Sequence, residues 1–128
     1  MMQRPRSITA IGWLFIAVGT AGLLNDVWPL LTADAAQQLA KLKADGLADL
    51  GPAWTSRLLA IIGGAGLLRG HNWARWLLVA WMVFHIGLSI FHSVPELLTH
   101  SVVFTPLLYL LFRRSAEPWF HGETAASI

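Results

Sequence analysis

The chain has 128 residues, of which 55% are hydrophobic and 12% are charged, and its formal net charge is +2. A soluble domain carries about 25% charged residues, so this composition predicts a membrane protein. Cysteine is absent, which excludes disulfides, thiolate catalysis and cysteine-based metal sites. The sequence pI is about 9.7, but the basic residues lie scattered at the ends of apolar runs, which favours membrane topology over nucleic-acid binding.

The first apolar run predicts a membrane span over residues 8–26. It follows a basic segment with Arg4 and Arg6, as the apolar region of a secretory signal peptide does. Leu23 and Leu24 stand where signal cleavage would require small residues. We therefore expect this run to be retained as the first transmembrane helix.

Small residues recur along this first span. Gly12 and Gly19 lie seven residues apart, and Ala17 and Ala21 form a small-xxx-small pair. In lipid, such residues let two helices approach closely. Two interpretations stay open at this stage: a helix-packing surface, or the ordinary abundance of glycine and alanine in membrane helices.

Residues 32–53 are the longest polar stretch. Leucines recur there at roughly helical spacing opposite lysine, glutamine and aspartate, which predicts a short amphipathic helix over about 33–44. Gly46 and the Gly51-Pro52 pair end the stretch and punctuate the return to apolar sequence. We expect this helix to lie on the membrane surface or over the mouth of the bundle.

Three further spans follow, and they are predicted over residues 53–69, 73–92 and 97–112. A span of about 20 residues matches a hydrocarbon core of roughly 30 Å. The second span is the least apolar because it contains Arg57, whose side chain is close enough to the interface to reach it. After the fourth span, we expect Trp119 and Phe120 to rest on the membrane interface.

Lysine and arginine are distributed unequally between the two sides of these spans. One side collects Arg4, Arg6, Arg69, Arg75, Arg113 and Arg114, and the other has Lys41, Lys43 and Arg57 among five acidic residues. The positive-inside rule then places both termini in the cytoplasm of a multi-pass protein of the cell inner membrane. The predicted fold is all-α: a four-helix transmembrane bundle with a short amphipathic helix in the outer loop between spans one and two.

Six ionisable residues are candidates for a polar cluster: Asp26, Arg57, His92, Glu96 and His100, which fall near the outer ends of the spans, and the deeper His85. Ionisable groups at membrane depth are functional candidates because their burial is costly. One interpretation is a metal site, a haem site or an entry for protons or solute. The other, which we favour, is that Asp26 pairs with Arg57 while the histidines border the loop.

His85 lies deeper than the other candidates, about two turns inside the third span. Ser89 is four residues away and therefore shares its face. Hydrogen bonding to Ser89 or to a main-chain carbonyl would make His85 a structural residue. We expect His100 to lie nearer the surface, which disfavours a haem bridging the two rings, and we expect Thr105 and Tyr109 to lie closer to the depth of His85.

Sequence signatures of common enzymes are absent: there is no G-x-S-x-G, no H-E-x-x-H and no P-loop. We therefore predict a non-enzymatic membrane protein that acts through helix packing, as a homo-oligomer or as an accessory subunit of a membrane assembly. Its expected partners are the lipid bilayer and membrane protein, with no cofactor and no nucleic acid. One alternative is a transporter or channel for a small solute or proton that uses the polar cluster. A second is a haem- or metal-binding protein that uses His85, His92 and His100.

Overall fold

The computed structural model describes residues 3–32, 36–37, 40, 43 and 47–121, apart from the side chains of Leu30, His92 and residues 47–50. This part of the chain is helical and contains no strand, which confirms the all-α prediction. Its helices are α1 (Arg6–Thr32), α2 (Leu47–Leu68), α3 (Asn72–His92), α4 (Val94–Phe112) and the short α5 (Glu117–His121). The surface helix predicted over 33–44 falls mostly outside the described residues.

Three helices are long and apolar enough to cross a membrane. Their apolar windows are Arg6–Pro29 in α1, Asn72–Phe91 in α3 and Val94–Phe112 in α4, with mean hydropathies of 1.8, 1.6 and 1.4. The fourth long helix, α2, is not among them, since Arg57 and several glycines lower its hydropathy. The described chain is therefore consistent with a membrane protein that has at least three transmembrane helices.

The long helices pack antiparallel to their neighbours in the chain. The contact between α1 and α2 runs from Gly12 beside Leu68 to Gly22 beside Arg57. Helices α3 and α4 are joined by a single residue, Ser93, in extended conformation. Helix α1 packs closely against α2 and much less against α4, so the bundle is open on the side between α1 and α4.

Glycines bring the main chains of α1 and α2 together. A Cβ atom on Gly64 would lie 2.6 Å from the carbonyl oxygen of Gly12, and one on Gly19 would lie 2.7 Å from a main-chain oxygen of α2. The packing interpretation of Gly12 and Gly19 is therefore correct, and the surface that they serve lies within the chain. Ala17 and Ala21 are exposed on the other side of α1 and take no part in this contact.

The buried core lies toward one end of the bundle. We call this the basic end; there the N-terminal segment, the turn between α2 and α3, and α5 meet. Its fully buried or nearly buried residues include Ile8, Leu67, Leu78, Leu111 and Phe120. At the opposite end, which we call the loop end, α1 terminates and α3 turns into α4, and large apolar side chains such as Phe91 are exposed.

Candidate functional site

An ion pair joins α1 to α2 near the loop end. Nε of Arg57 donates to one carboxylate oxygen of Asp26 at 2.7 Å, and Nη2 donates to the other at 3.3 Å. Gly22 leaves the space for this guanidinium, because a Cβ atom there would collide with the Arg57 side chain. The pairing expected from the sequence is present, and it balances the charge of Arg57, which lowers the hydropathy of α2.

His85 has hydrogen bonds at both ring nitrogens. Nδ1 lies 2.8 Å from the carbonyl oxygen of Trp81, and Nε2 lies 3.1 Å from the hydroxyl of Ser56 on α2. A carbonyl oxygen only accepts, so in the neutral ring Nδ1 carries the hydrogen and Nε2 accepts from Ser56. This agrees with the expectation of a hydrogen-bonded structural histidine, although the sequence pointed to Ser89 rather than Ser56 as the side-chain partner.

Trp81 binds the same serine and completes a contact between α2 and α3. Its indole N–H lies 3.0 Å from both the carbonyl oxygen and the hydroxyl of Ser56. The indole ring lies 4.1 Å from the ring of His85 between centroids, and Phe15 of α1 meets it edge-on at 5.6 Å. Ser56, Trp81 and His85 thus form one hydrogen-bonded unit, which we call the Ser-Trp-His cluster.

His100 lies close to His85, and the predicted difference in depth is wrong. The two ring centroids are 6.2 Å apart, and Ser89 connects the residues: its hydroxyl donates to the carbonyl oxygen of His85 at 2.8 Å and lies 3.0 Å from Nδ1 of His100. The physical reason is the one-residue turn. His85 precedes Ser93 by eight residues and His100 follows it by seven, so two antiparallel helices bring them to the same depth.

The partners preferred for His85 on α4 do not reach it. Thr105 donates its hydroxyl to the carbonyl oxygen of Ser101 within α4, and Tyr109 is exposed on the outside of the bundle. Glu96 is also exposed, and it contributes its main-chain carbonyl oxygen, 2.8 Å from Nδ1 of His100. The side chain of His92 lies outside the described part of the structure.

The five candidate side chains that the structure describes therefore do not form one site. Asp26 and Arg57 make an ion pair, while His85 and His100 share contacts through Ser89. Across the described residues, no group of three or more histidine, cysteine, aspartate or glutamate residues is arranged to hold a metal ion. Nε2 of His85, the nitrogen that would bind a metal or haem, is directed at Ser56 on α2.

The hydrogen-bonded side chains around His85 form two pairs. The side chains of Ser56 and His85 are hydrogen-bonded, and so are those of Ser89 and His100. The link between the two pairs is the main-chain carbonyl of His85, which accepts from Ser89 and has no hydrogen to pass on. This arrangement joins three helices, α2, α3 and α4.

Arg75 is a polar residue whose contacts were not apparent from the sequence, where it served only to indicate topology. It is 3% exposed at the basic end. Its guanidinium donates to the Asn72 side chain at 2.6 and 2.9 Å and to Glu117 of α5 at 3.1 Å. It also lies over the rings of Phe112 and Phe120, 4.8 and 4.5 Å from their centroids.

Besides its contacts with Arg75, helix α5 makes two further contacts with the bundle. The indole N–H of Trp119 donates to the carbonyl oxygen of Leu67 at 3.0 Å, and Phe120 is buried. The expectation that Trp119 and Phe120 rest on the membrane interface is therefore wrong for Phe120, which packs inside the protein. Gly70 has a φ of 81° and lies directly against Trp119, so the turn between α2 and α3 is shaped to receive this segment.

Comparisons of the chain with protein-family models, with curated proteins and with solved structures find no match.

Proposed function

We propose that this chain is a multi-pass membrane protein with four spans and both termini in the cytoplasm. We further propose that it acts by helix packing, as a homo-oligomer or as an accessory subunit of a membrane assembly, and not by catalysis. The observation that carries the proposal is the face of α4 opposite its buried leucines, where Leu98, Val102, Thr105 and Tyr109 are exposed.

The position of α2 supports a fourth span. Helix α2 contacts α1 from Gly12 to Asp26, a distance of about 21 Å at 1.5 Å per residue. A helix that lies against a transmembrane helix over that length is expected to cross with it. The ion pair with Asp26 lowers the cost of placing Arg57 there.

The polar side chains inside the bundle support a non-catalytic role. Ser56, His85 and Ser89 make hydrogen bonds to other helices or to main-chain carbonyls. A general base or nucleophile needs a reacting atom within reach and a group that activates it. In this bundle the polar atoms of those three side chains are used for hydrogen bonds within and between helices.

The outer stripe of α4 consists of Leu98, Val102, Thr105 and Tyr109, which are exposed and recur at intervals of four, three and four residues. They lie on the opposite side of the helix from the buried Leu107 and Leu111. In lipid, exposure of apolar side chains carries little cost, so the exposure alone is not informative. Exposure on α4 is broad, because Thr99, Val103, Pro106 and Leu108 are exposed as well. The four positions are chosen because they form the face opposite the buried leucines, which is the face free to meet a helix of another molecule.

Cysteine scanning tests the stripe, since the natural chain has no cysteine. Single cysteines from position 98 to 109 are oxidised in native membranes, and crosslinked products are separated by size. We expect crosslinking to peak at the four stripe positions, with Val103→Cys as the adjacent control. Dimers of this chain indicate a homo-oligomer, and products with a second membrane protein indicate an accessory subunit. A profile without this period contradicts the proposal.

Orientation is tested separately by reporter fusions. A fusion after Ala44 and a fusion at the C-terminus are expected to report opposite sides of the membrane, with the C-terminus cytoplasmic. Signals from the same side would contradict the four-span topology.

A further inference from the structure

The positive charge of the basic end is only partly balanced by acidic residues. Glu117 pairs with Arg75 at 3.1 Å. The other arginines of this end take part in no ion pair among the described residues: Arg4, Arg6, Arg69, Arg113 and Arg114. A surface with this excess of positive charge is complementary to an anionic partner.

Two of these arginines, Arg4 and Arg113, are held in place by uncharged groups. Arg4 donates from Nε to the hydroxyl of Thr9 at 2.9 Å and from Nη1 to the carbonyl oxygen of Leu68 at 3.0 Å. Nη2 of Arg113 donates to the hydroxyl of Ser7 at 2.9 Å. These partners orient the two guanidinium groups, but they do not neutralise them.

Both guanidinium groups keep N–H donors at the surface. Arg4 is exposed, and none of the described contacts uses its Nη2. In Arg113, Nε is enclosed and has no partner, whereas Nη1 also has no described partner but is not enclosed. Each arginine can therefore donate to an anion that approaches from outside.

The choice of arginine at this end favours a phosphate as that anion. The chain has two lysines, Lys41 and Lys43, and both fall in the polar stretch of residues 32–53. The planar guanidinium donates two parallel hydrogen bonds to a phosphate, whereas the lysine ammonium acts as a point charge.

Exposed tryptophans at the same end indicate the depth of these arginines. Trp76 is 59% exposed and meets the ring of Phe112, the residue before Arg113, at 5.1 Å between centroids. Trp73 is 49% exposed and lies against Gly66 near the end of α2. Tryptophan rings in membrane proteins settle at the level of the lipid head groups, which is where lipid phosphates lie.

We propose that the basic end binds an anionic phospholipid, and that Arg4 and Arg113 donate hydrogen bonds to head-group phosphates. Arg6, Arg69 and Arg114 add electrostatic attraction to the same head groups. Phosphatidylcholine also carries a phosphate, but the arginines would repel its choline cation, so an anionic lipid is preferred. The cytoplasmic side, where our topology places this end, is the side rich in anionic lipids.

This inference rests on the proposed membrane location and is independent of oligomerisation. The arginines lie at the basic end, whereas the outer stripe runs along α4. Failure of the crosslinking experiment would therefore leave the lipid experiment unaffected. The lipid experiment is carried out in detergent, so it does not depend on orientation in the membrane either.

Mass spectrometry of intact lipid complexes tests the proposal. The purified protein, in a neutral detergent, is mixed with equal concentrations of phosphatidylglycerol and phosphatidylcholine, and the bound molecules of each lipid are counted. One arginine near the membrane surface corresponds to a preference of roughly fivefold for an anionic lipid. We expect a preference of at least this size for phosphatidylglycerol in the natural chain.

Two double variants with the same loss of charge locate the binding. Arg4→Gln with Arg113→Gln is expected to lower the preference for phosphatidylglycerol severalfold. Lys41→Gln with Lys43→Gln removes two positive charges from the polar stretch and is expected to bind the two lipids as the natural chain does.

Three results would overturn the proposal. The first is equal binding of the two lipids by the natural chain, a comparison that does not depend on whether the arginine variant folds. The second is an arginine variant that keeps the full preference. The third is an equal loss in the arginine and lysine variants, which would indicate an effect of net charge alone. A natural chain that binds neither lipid would contradict the membrane location as well, so the two failures are distinguishable.

Discussion

The two ends of the bundle are built by different interactions. At the basic end, Phe120 is 3% exposed and packs near the buried guanidinium of Arg75. At the loop end, Phe91 is 87% exposed, and the contacts between helices are the ion pair of Asp26 with Arg57 and the hydrogen bonds around His85. The basic end is therefore held by apolar packing around the buried guanidinium of Arg75, and the loop end by an ion pair and hydrogen bonds.

The different contacts at the two ends are expected from the lipid and water that surround a membrane protein. Within lipid, burying apolar side chains gives little drive for helices to associate, so close main-chain contact and hydrogen bonds must supply it. The basic end adds α5, whose Phe120 is buried close to water in our proposal, where burial of an aromatic ring is strongly favourable. Exposed aromatic residues occur at both ends, since Trp73 and Trp76 are 49% and 59% exposed at the basic end; the ends differ in the contacts that hold their helices.

The largest effect is expected when the same residue type is truncated at the two ends. Phe120→Ala should lower the free energy of unfolding by about 3 kcal/mol, because a buried ring is replaced by a cavity. Phe91→Ala should leave it almost unchanged. Unfolding in detergent micelles by increasing dodecyl sulfate measures both. Equal losses would contradict the contrast between the two ends.

The two arginines give the second comparison. Arg75→Ala should lower the free energy of unfolding by about 2 to 3 kcal/mol, since it removes a buried ion-pair partner and two ring contacts. Arg57→Ala should lower it by only about 1 kcal/mol, because the Arg57 side chain is 34% exposed and our topology places it near the outer interface, where water screens its pair with Asp26.

A readout specific to α5 accompanies this comparison. Limited proteolysis after Arg114 should become faster in Arg75→Ala, because α5 loses the contact of Glu117 with Arg75. It should be unchanged in Arg57→Ala. Protection that persists in Arg75→Ala would mean that Trp119 and Phe120 hold α5 without the arginine.

The sequence predicted the helices better than their contacts. The apolar run over 73–92 predicted a span that matches α3, Asn72–His92, because a long run of apolar residues has one dominant solution in lipid. The pairing of Asp26 with Arg57 followed from the need to balance a charge at membrane depth. The prediction of the span rests on local composition, and the prediction of the ion pair rests on the electrostatic cost of an unpaired charge.

The failed predictions concern residues whose partners are set by turns or by distant segments. The depth of His100 relative to His85 depends on the turn at Ser93 being one residue long, and counting residues outward from Ser93 would have found the pair. The contact of Arg75 with Glu117 joins residues 42 positions apart, and no spacing rule connects them. Nothing in the pattern around Arg75 distinguished it from the other arginines that were used to predict topology.

The third prediction concerns the Ser-Trp-His cluster at the loop end. His85→Ala should lower the free energy of unfolding by about 1 to 3 kcal/mol, through lost packing and an unpaired Ser56 hydroxyl. Absorption spectra and elemental analysis of the purified protein are expected to be the same for the variant and the natural chain. A Soret band that disappears in His85→Ala would contradict the structural role and would indicate a haem ligand.

The smallest expected effect is an increase in the free energy of unfolding, whereas the preceding substitutions lower it. Gly87 lies on α3 near the loop end, and a Cβ atom there would meet nothing within 4 Å. Glycine in a helix is less favourable than alanine because it loses more main-chain freedom on folding, so Gly87→Ala should raise the free energy of unfolding by about 0.5 kcal/mol. Gly64→Ala is the matched control, since its Cβ would lie 2.6 Å from the carbonyl oxygen of Gly12 and should force α1 and α2 apart. Both variants are measured in the same detergent titration. If both substitutions stabilise the protein, the close contact between α1 and α2 is not what holds those helices together. If Gly87→Ala destabilises the protein, this face of α3 is covered by another molecule.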